Sequence, residues 1–385
     1  MAYQSPETDE TDEMEEQEGR KSKKDKKRRE VGSLAQVIAG INKKYGEGSL
    51  IQGRGAIIPV DAWASGLASL DLALGCGGIP RGRIIELFGM ESSGKTTLTL
   101  LLAATCQRTK FPTKGGEQRD GVVAFIDAEH AFDPIWAEKI GVDTNRLIFN
   151  QPGCGEEGLD IASDLVDTGE VDLIIVDSVA ALTPKEELDG EVGDHNIGAQ
   201  ARMMSKAMRR LASKCGETGC TIIFINQLRE KIGVMFGDPN TTPGGKALKF
   251  YSSIRMEVRA GEAIEVNKKK IGRVTKVSVK KNKVGPPFTK TEFHLMYGHN
   301  GVTGPDRVRS LVLAAPELGV VTRSSSYYTF GNQKFNGFDN FYEAVAGSEE
   351  MQREMQLQFA EAMKARRSAH EQMYDEELTE ALEED

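Results

Sequence analysis

Eight residues, Gly89-Met-Glu-Ser-Ser-Gly-Lys95-Thr96, are spaced as a triphosphate requires. Glycines at both ends let the backbone curl, so that its N–H groups turn inward toward phosphate oxygens. Lys95 supplies positive charge for the outer phosphates, and the Thr96 hydroxyl is a ligand for Mg²⁺. Arg83 to Phe88 reads as a strand feeding this loop. Thr96 to Thr109 reads as a helix whose positive N-terminus faces the phosphates. A chance match in a Gly-rich turn would lack that framing, so the chain is expected to bind a nucleoside triphosphate.

Other reactive side chains sit where apolar runs end. Asp177 follows Leu173-Ile-Ile-Val176 and suits holding Mg²⁺ through a water or the Thr96 hydroxyl. Capping the next helix is its alternative role. Glu129, just past Val122 to Ile126, can polarise the water that attacks the γ-phosphate, or else form a salt bridge to a neighbouring helix. Gln227 ends the run Thr221 to Ile225. Its amide can hydrogen-bond a γ-phosphate and lose that bond in the diphosphate state, which makes it a candidate sensor. Trp136 either stacks on the base or packs in the core. After Gln227, Leu228 to Thr242 carries Arg229, Lys231, Gly, Pro and Asn breakers and one phenylalanine, and Gly244-Gly245-Lys246 follow. Glycines beside basic and apolar side chains suit gripping a single nucleic-acid strand. The earlier loop Asp189 to Gly198 leads to a helix bearing Arg202, Lys206, Arg209 and Arg210, which a charged solvent face explains as well.

These residues need a sheet to position them. From Ile84 to Asn226 short apolar strands alternate with helical segments, the pattern of a parallel sheet buried on both faces. Ligands in such sheets sit at the C-terminal strand ends. Lys110 to Asp120 reads as a surface loop. Val274 to Val279 and Phe288 to Leu295 read as strands extending the sheet. A smaller α+β unit is expected after about Gly301, and Ser348 to Asp385 is helical by propensity. Val31 to Tyr45 places Leu34, Val37, Ile38 and Ile41 at helical spacing, a stripe that packs within the chain or against a neighbouring subunit.

The 385 residues allow one large α/β domain with smaller flanking pieces, or two domains. No run of 18 apolar residues exists, so no membrane span is expected, and the charged opening stretch lacks the apolar core of a secretory signal. The five cysteines show no paired spacing, which fits reduced thiols in a cytoplasmic setting. The net charge of −9 sits wholly in the tails. Residues 1–30 carry ten acids and eight bases, residues 375–385 carry seven acids and no base, and residues 31–374 balance 41 against 41. A neutral body can still present a basic groove, because salt screens charges beyond about 8–10 Å.

The segments GMESSGKTT, FIDAEHAFDP (Phe125 to Pro134), VDSVAALTPKEEL (Val176 to Leu188), ARMMSKAMRRL (Ala201 to Leu211), NQLREKIGVMFGDPNTTPGGKALKFY (Asn226 to Tyr251) and KKNKVGPPF (Lys280 to Phe288) together resemble the bacterial RecA recombinase family, over roughly residues 31 to 330. The resemblance implies an α/β fold: a RecA-type P-loop ATPase core with a mainly parallel central sheet, an N-terminal helix and a small α+β C-terminal domain. Its expected divisions are a charged disordered tail (1–30), an oligomerisation helix and strand (31–62), the ATPase core with DNA-binding loops (63–302), the C-terminal domain (303–372) and an acidic tail (373–385).

It implies ATP and Mg²⁺ as cofactors and a DNA-dependent ATPase. Such an enzyme forms helical filaments on single-stranded DNA and exchanges strands with a homologous duplex in recombinational repair and the SOS response. By motif, Gly89, Glu91, Ser92, Ser93, Gly94, Lys95, Thr96 and Thr97 would cradle the nucleotide. Thr96 and Asp177 would hold the metal, Asp133 and Trp136 would contact the base, and Glu129 would be the catalytic carboxylate. Gln227 would sense the γ-phosphate, while Lys281 and Lys283 would reach the neighbouring subunit's phosphates, with Phe250 packed at that interface. Ile197, Arg202, Ser205, Arg209, Arg229, Lys231, Ile232, Gly244 and Gly245 would lie along DNA.

The partners so implied are single- and double-stranded DNA and further copies of the chain; a repressor or mediator protein is left open. Trp136 where the family has tyrosine, Glu230 and Pro243 in the second loop, the long segment Lys110 to Asp120 and the extra N-terminal tail mark a divergent member, compatible with a viral origin. Two readings of other classes remain: a ring-forming DNA helicase or motor of the same superfamily, and a regulatory ATP-binding partner without strand exchange. The loop Leu228 to Lys246 argues against both.

Overall fold

The computed structural model describes residues 33–46, 49–50, 60–113, 115–191, 198–230 and 240–383. The chain divides into two units, one up to Pro59 and one from Val60 onward. In the first, Leu34–Tyr45 is helical. Ser33 caps it by accepting from Gln36 N–H while the Gln36 side chain accepts from Ser33 N–H, a reciprocal box. None of its residues is buried; Leu34 and Val37 are exposed.

The second unit is built on a nine-stranded sheet. Its strands are β1 (Ile84–Gly89), β2 (Val123–Asp127), β3 (Leu147–Asn150), β4 (Leu173–Asp177), β5 (Thr221–Gln227), β6 (Ile254–Val266), β7 (Lys269–Asn282), β8 (Lys290–His299) and β9 (Val302–Pro305). They lie in the order β9-β8-β7-β6-β1-β5-β4-β2-β3. The six strands from β6 to β3 run parallel, and β7, β8 and β9 add on antiparallel.

Alternate residues of the central strands feed two cores. Ile85, Leu87, Phe125, Ile175, Ile223 and Ile225 pack beneath the helices Ala68–Leu74, Lys95–Arg108 and Pro134–Ile140. Ile84, Ala124, Ile126, Ile174, Val176, Ile222 and Phe224 pack beneath Gly155–Thr168, Ala199–Thr218 and Ala247–Tyr251. Burial on both faces explains why these strands read as continuous apolar runs. Truncating one fully buried ring, such as Phe224, is expected to cost about 3–5 kcal/mol. A third core, around Leu311, Tyr328, Phe330, Phe341 and Phe359, joins a three-stranded sheet to the helices Arg307–Ala314, Phe338–Ala346 and Glu349–Glu383. Among the described residues, no helix is long and apolar enough to cross a membrane.

One expectation changes, and two strands went unread. Lys110 to Asp120 is a small hairpin rather than a loop: Lys110–Pro112 pairs with Gln118–Asp120, Phe111 is buried beneath the Arg81 guanidinium, and Lys110 Nζ meets Asp120 Oδ1 at 2.7 Å. The strand β6 carried no legible apolar run, because Arg255, Glu257 and Arg259 interrupt it. The β6–β7 ribbon turns at Asn267-Lys268, both at positive φ, the backbone of a two-residue hairpin turn. The edge strand β3 was also missed; its Ile148 and Phe149 are exposed.

Candidate nucleotide and DNA site

The sheet register brings four strand ends to one edge. Gly89 is level with Gln227, and Asp127 with Asp177. The phosphate loop leaves β1 there and enters the helix Lys95–Arg108. Gly94 takes φ +99°, which an L side chain resists. Lys95 is buried and donates to the carbonyls of Gly89 (3.1 Å) and Met90 (2.8 Å). Burial holds its pKa below the usual lysine value, opposed by the charges of Asp177, Glu129 and Glu91.

Thr96 Oγ1 donates to Asp177 Oδ2 at 2.7 Å. A hydroxyl and a carboxylate side by side at the loop are the hard oxygen donors that suit Mg²⁺, with phosphates and water completing its shell. Asp177 titrates near 6. Burial raises it most, then the charges of Glu129 and Asp127, against the Thr96 hydrogen bond and Lys95.

Glu129 is exposed at the next strand end. Its Oε1 accepts from Gln227 Nε2 at 2.9 Å and, in a shorter contact, from Ser178 Oγ. Asp133 caps the helix Pro134–Ile140 by accepting from Trp136 N–H at 3.0 Å. Trp136 is half-buried against the first core, and its Nε1 donates to Thr97 Oγ1 at 3.2 Å, so the indole adjoins the phosphate-loop helix.

Lys281 and Lys283 lie elsewhere. Lys281 pairs with Arg255, which is level with Glu86, so it stands four residues before Met90, roughly 13 Å along the strand. Lys281 Nζ donates to the carbonyls of Lys249 (2.7 Å) and Phe250 (3.0 Å), and Lys283 Nζ lies 3.5 Å from the latter. Phe250 itself is 68 % exposed. Within one chain these two lysines do not join the phosphate loop.

On the helix Ala199–Thr218, Arg202 and Arg209 are exposed, and Ser205 Oγ donates to Ala201 O at 2.7 Å. Arg210 departs from the basic face read from the sequence. It turns to the neighbouring helix, 3.6–3.8 Å from Asp160, Asp164 and Asp167. Arg229 begins a short hairpin with Asn240–Thr241. Gly244 and Gly245 take φ +82° and +75°. A Cβ on either would stand 2.8 Å from Val179 or Ala201, so the chain passes close under that helix. Ile197, Lys231 and Ile232 lie outside the described residues.

Asn226 and Gln200 tie this end to the nucleotide end. Asn226 Nδ2 donates to Glu86 Oε1 (3.0 Å) and Pro243 O (3.2 Å). Gln200 donates to Val179 O (2.9 Å) and Leu182 O (3.2 Å), and its Oε1 accepts from Gly244 N–H (3.1 Å). Sequence reading missed both. It also missed Arg273 and Tyr297, which line a cavity of about 280 Å³ with Ser92 to Thr97. They arrive from β7 and β8, about 180 and 200 residues after the loop, and only strand order reveals them.

A strand, a glycine-bounded loop and a helix start, with carboxylates and an amide at adjacent parallel strand ends, define a P-loop ATPase. A family model for the RecA N-terminal domain matches residues 32–303. Similar proteins include Protein RecA of Cereibacter sphaeroides (47% identical, covering 78% of this chain and 84% of that protein) and of Cutibacterium acnes (45%, covering 84% and 90%). Protein RecA of Rubrobacter xylanophilus is 48% identical, covering 78% and 84%. The chain belongs to the RecA family, DNA-dependent ATPases that act as recombinases in DNA repair. That relationship does not favour the ring-forming helicase.

Proposed function

We propose that this chain is a nucleotide-gated filament subunit on DNA. ATP binds in one subunit's phosphate loop, the next subunit completes the site, and the loops flanking Ala199–Thr218 and following Gln227 grip a single strand in the triphosphate state. The observation that carries this reading is the 2.9 Å hydrogen bond from Gln227 to Glu129. A γ-phosphate oxygen arriving beside Glu129 would draw the N–H groups of this amide toward itself. ATP therefore competes for it, and Gln227 stands at the foot of the second loop.

In this reading Gly89 to Thr97 wrap the phosphates, and Lys95 and the helix N-terminus neutralise their charge. Asp133 and Trp136 contact the base. Glu129 orients and polarises the attacking water once Gln227 has released it. Thr96 and Asp177 would hold Mg²⁺, which when bound neutralises charge on the phosphates. Lys281 and Lys283 serve the neighbour's nucleotide, because the register holds them at the far end of the sheet from their own loop. Exposed Phe250, Ile148 and Phe149, and the stripe of the N-terminal helix, fit assembly with further copies. Arg202, Ser205, Arg209, Arg229, Lys231, Gly244 and Gly245 follow the DNA backbone, with Ile197 and Ile232 wedging between bases.

Electron microscopy with single-stranded DNA and a slowly hydrolysed ATP analogue tests the reading. Open helical filaments that require the analogue are expected. Closed rings, or filaments indifferent to nucleotide, would overturn it.

A further inference from the structure

We propose that Arg273 is a second cation of the nucleotide site, contacting the phosphates that ATP and ADP share, from the same chain as the phosphate loop. The proposal rests on the nucleotide reading above and adds a residue to it. Arg273 sits on β7 opposite Leu295 of β8. Its Nη2 lies 3.3 Å from where a side-chain carbon on Gly94 would stand, so the guanidinium lies against the loop. Its Nε is buried with no hydrogen-bond partner, and among the described residues no carboxylate pairs with it. Arg273 itself is only half-buried, so its guanidinium reaches the cavity while one N–H is left unsatisfied.

The surroundings deepen the mismatch. Arg273, Lys95 and the N-terminus of the helix Lys95–Arg108 all direct positive potential at one cavity of about 280 Å³, and no acidic residue lines it. A polyanion with several acceptor oxygens answers all three. The planar guanidinium fork matches phosphate oxygens better than a point charge does.

The lining also selects which phosphates. Thr97, which receives the Trp136 indole N–H, and Tyr297 line this cavity; Glu129, Asp177 and Gln227 do not. Lys95 and Thr96 line it too, so Arg273 stands at the start of the phosphate-loop helix, beside Thr97 and apart from Glu129 and Gln227. From there it strengthens ATP and ADP binding alike.

The test is competition binding of ATP, ADP and adenosine to the full-length chain and to Arg273→Met, which keeps the apolar stem, and Arg273→Lys. For Arg273→Met, ADP and ATP affinity should each fall roughly tenfold with adenosine unchanged, and Arg273→Lys should lie between. The KM for ATP should rise by the same factor. An equal loss for adenosine would make Arg273 merely a wall of the cavity, and no loss for ADP would remove it from the site; either overturns the proposal while leaving the nucleotide reading intact. If the unaltered chain bound neither ATP nor ADP, both would fall together.

Discussion

The two ends of the parallel sheet are built differently. At the C-terminal ends, Lys95, Thr96, Asp177, Glu129 and Gln227 are already engaged with one another or with the loop's own carbonyls. At the opposite end, Lys281 and Lys283 donate to helix carbonyls, beside exposed Phe250 and Tyr251. Burial first, then the like charges of Lys283 and Arg255, hold the Lys281 pKa below the usual lysine value, so an arriving anion would relieve it. One end is a site with most of its parts. The other holds two lysines that, in the proposed reading, serve a neighbouring subunit's nucleotide.

The largest effect that could break this contrast comes from mixing variants. Lys95→Ala should abolish nucleotide binding in its own protomer. Lys281→Ala combined with Lys283→Ala should keep ADP binding yet lose DNA-stimulated turnover by about a hundredfold. Mixed in equal amounts, the two inactive proteins should recover roughly a quarter of the sites, because some interfaces pair an intact loop with intact lysines. A mixture with no turnover would show that the two ends do not share a nucleotide.

Glu129→Gln sharpens the chemical end alone. Turnover should fall about 10²–10⁴-fold while ATP still binds. DNA-stimulated phosphate release measures the first and equilibrium binding the second. Unchanged turnover would remove Glu129 from the reaction.

Legibility in the sequence follows the same division. The phosphate loop, Asp177, Glu129 and Gln227 were readable because each lies within a few residues of the apolar run that positions it. The distance between Lys281 and its own loop was not, because it depends on the register of β6 against β1 and of β7 against β6. Arg210 misled for a related reason. Neighbouring residues on a helix point about 100° apart, so it faces the acids of Gly155–Thr168 while Arg209 Nε donates back to Ser205 O. Charge composition alone says nothing of that rotation.

The protonation of Asp177 gives the next effect. Its carboxyl titrates near 6 in the folded chain against an ordinary 3.8, so folding favours the neutral form. The stability this group contributes is fully present below pH 3.8 and lost as pH rises through 6, a change of roughly 3 kcal/mol. Asp177→Asn should therefore stabilise the nucleotide-free protein at pH 8 and approach the parent at pH 4 in denaturant unfolding. A variant less stable at both would mean that the Thr96 hydrogen bond outweighs the buried charge.

The smallest effect concerns how the nucleotide end reaches the DNA loops. Gln200 spends its amide on Val179, Leu182 and Gly244, joining the segment after Asp177, the start of Ala199–Thr218 and the exit of the second loop. It touches neither the phosphate loop nor Glu129, so Gln200→Ala should leave turnover without DNA within about twofold. It leaves Gly244 N–H without its partner and frees the two loops to move separately, which should lower stimulation by single-stranded DNA about fivefold, the low end of ordinary coupling between sites. Because the lost coupling is proposed to be one of binding, the ATP analogue should also tighten DNA binding about fivefold less than in the parent. If stimulation fell while the analogue still tightened DNA binding in full, the loss would lie in the chemical step, and the coupling would run through Asn226 and Pro243 instead.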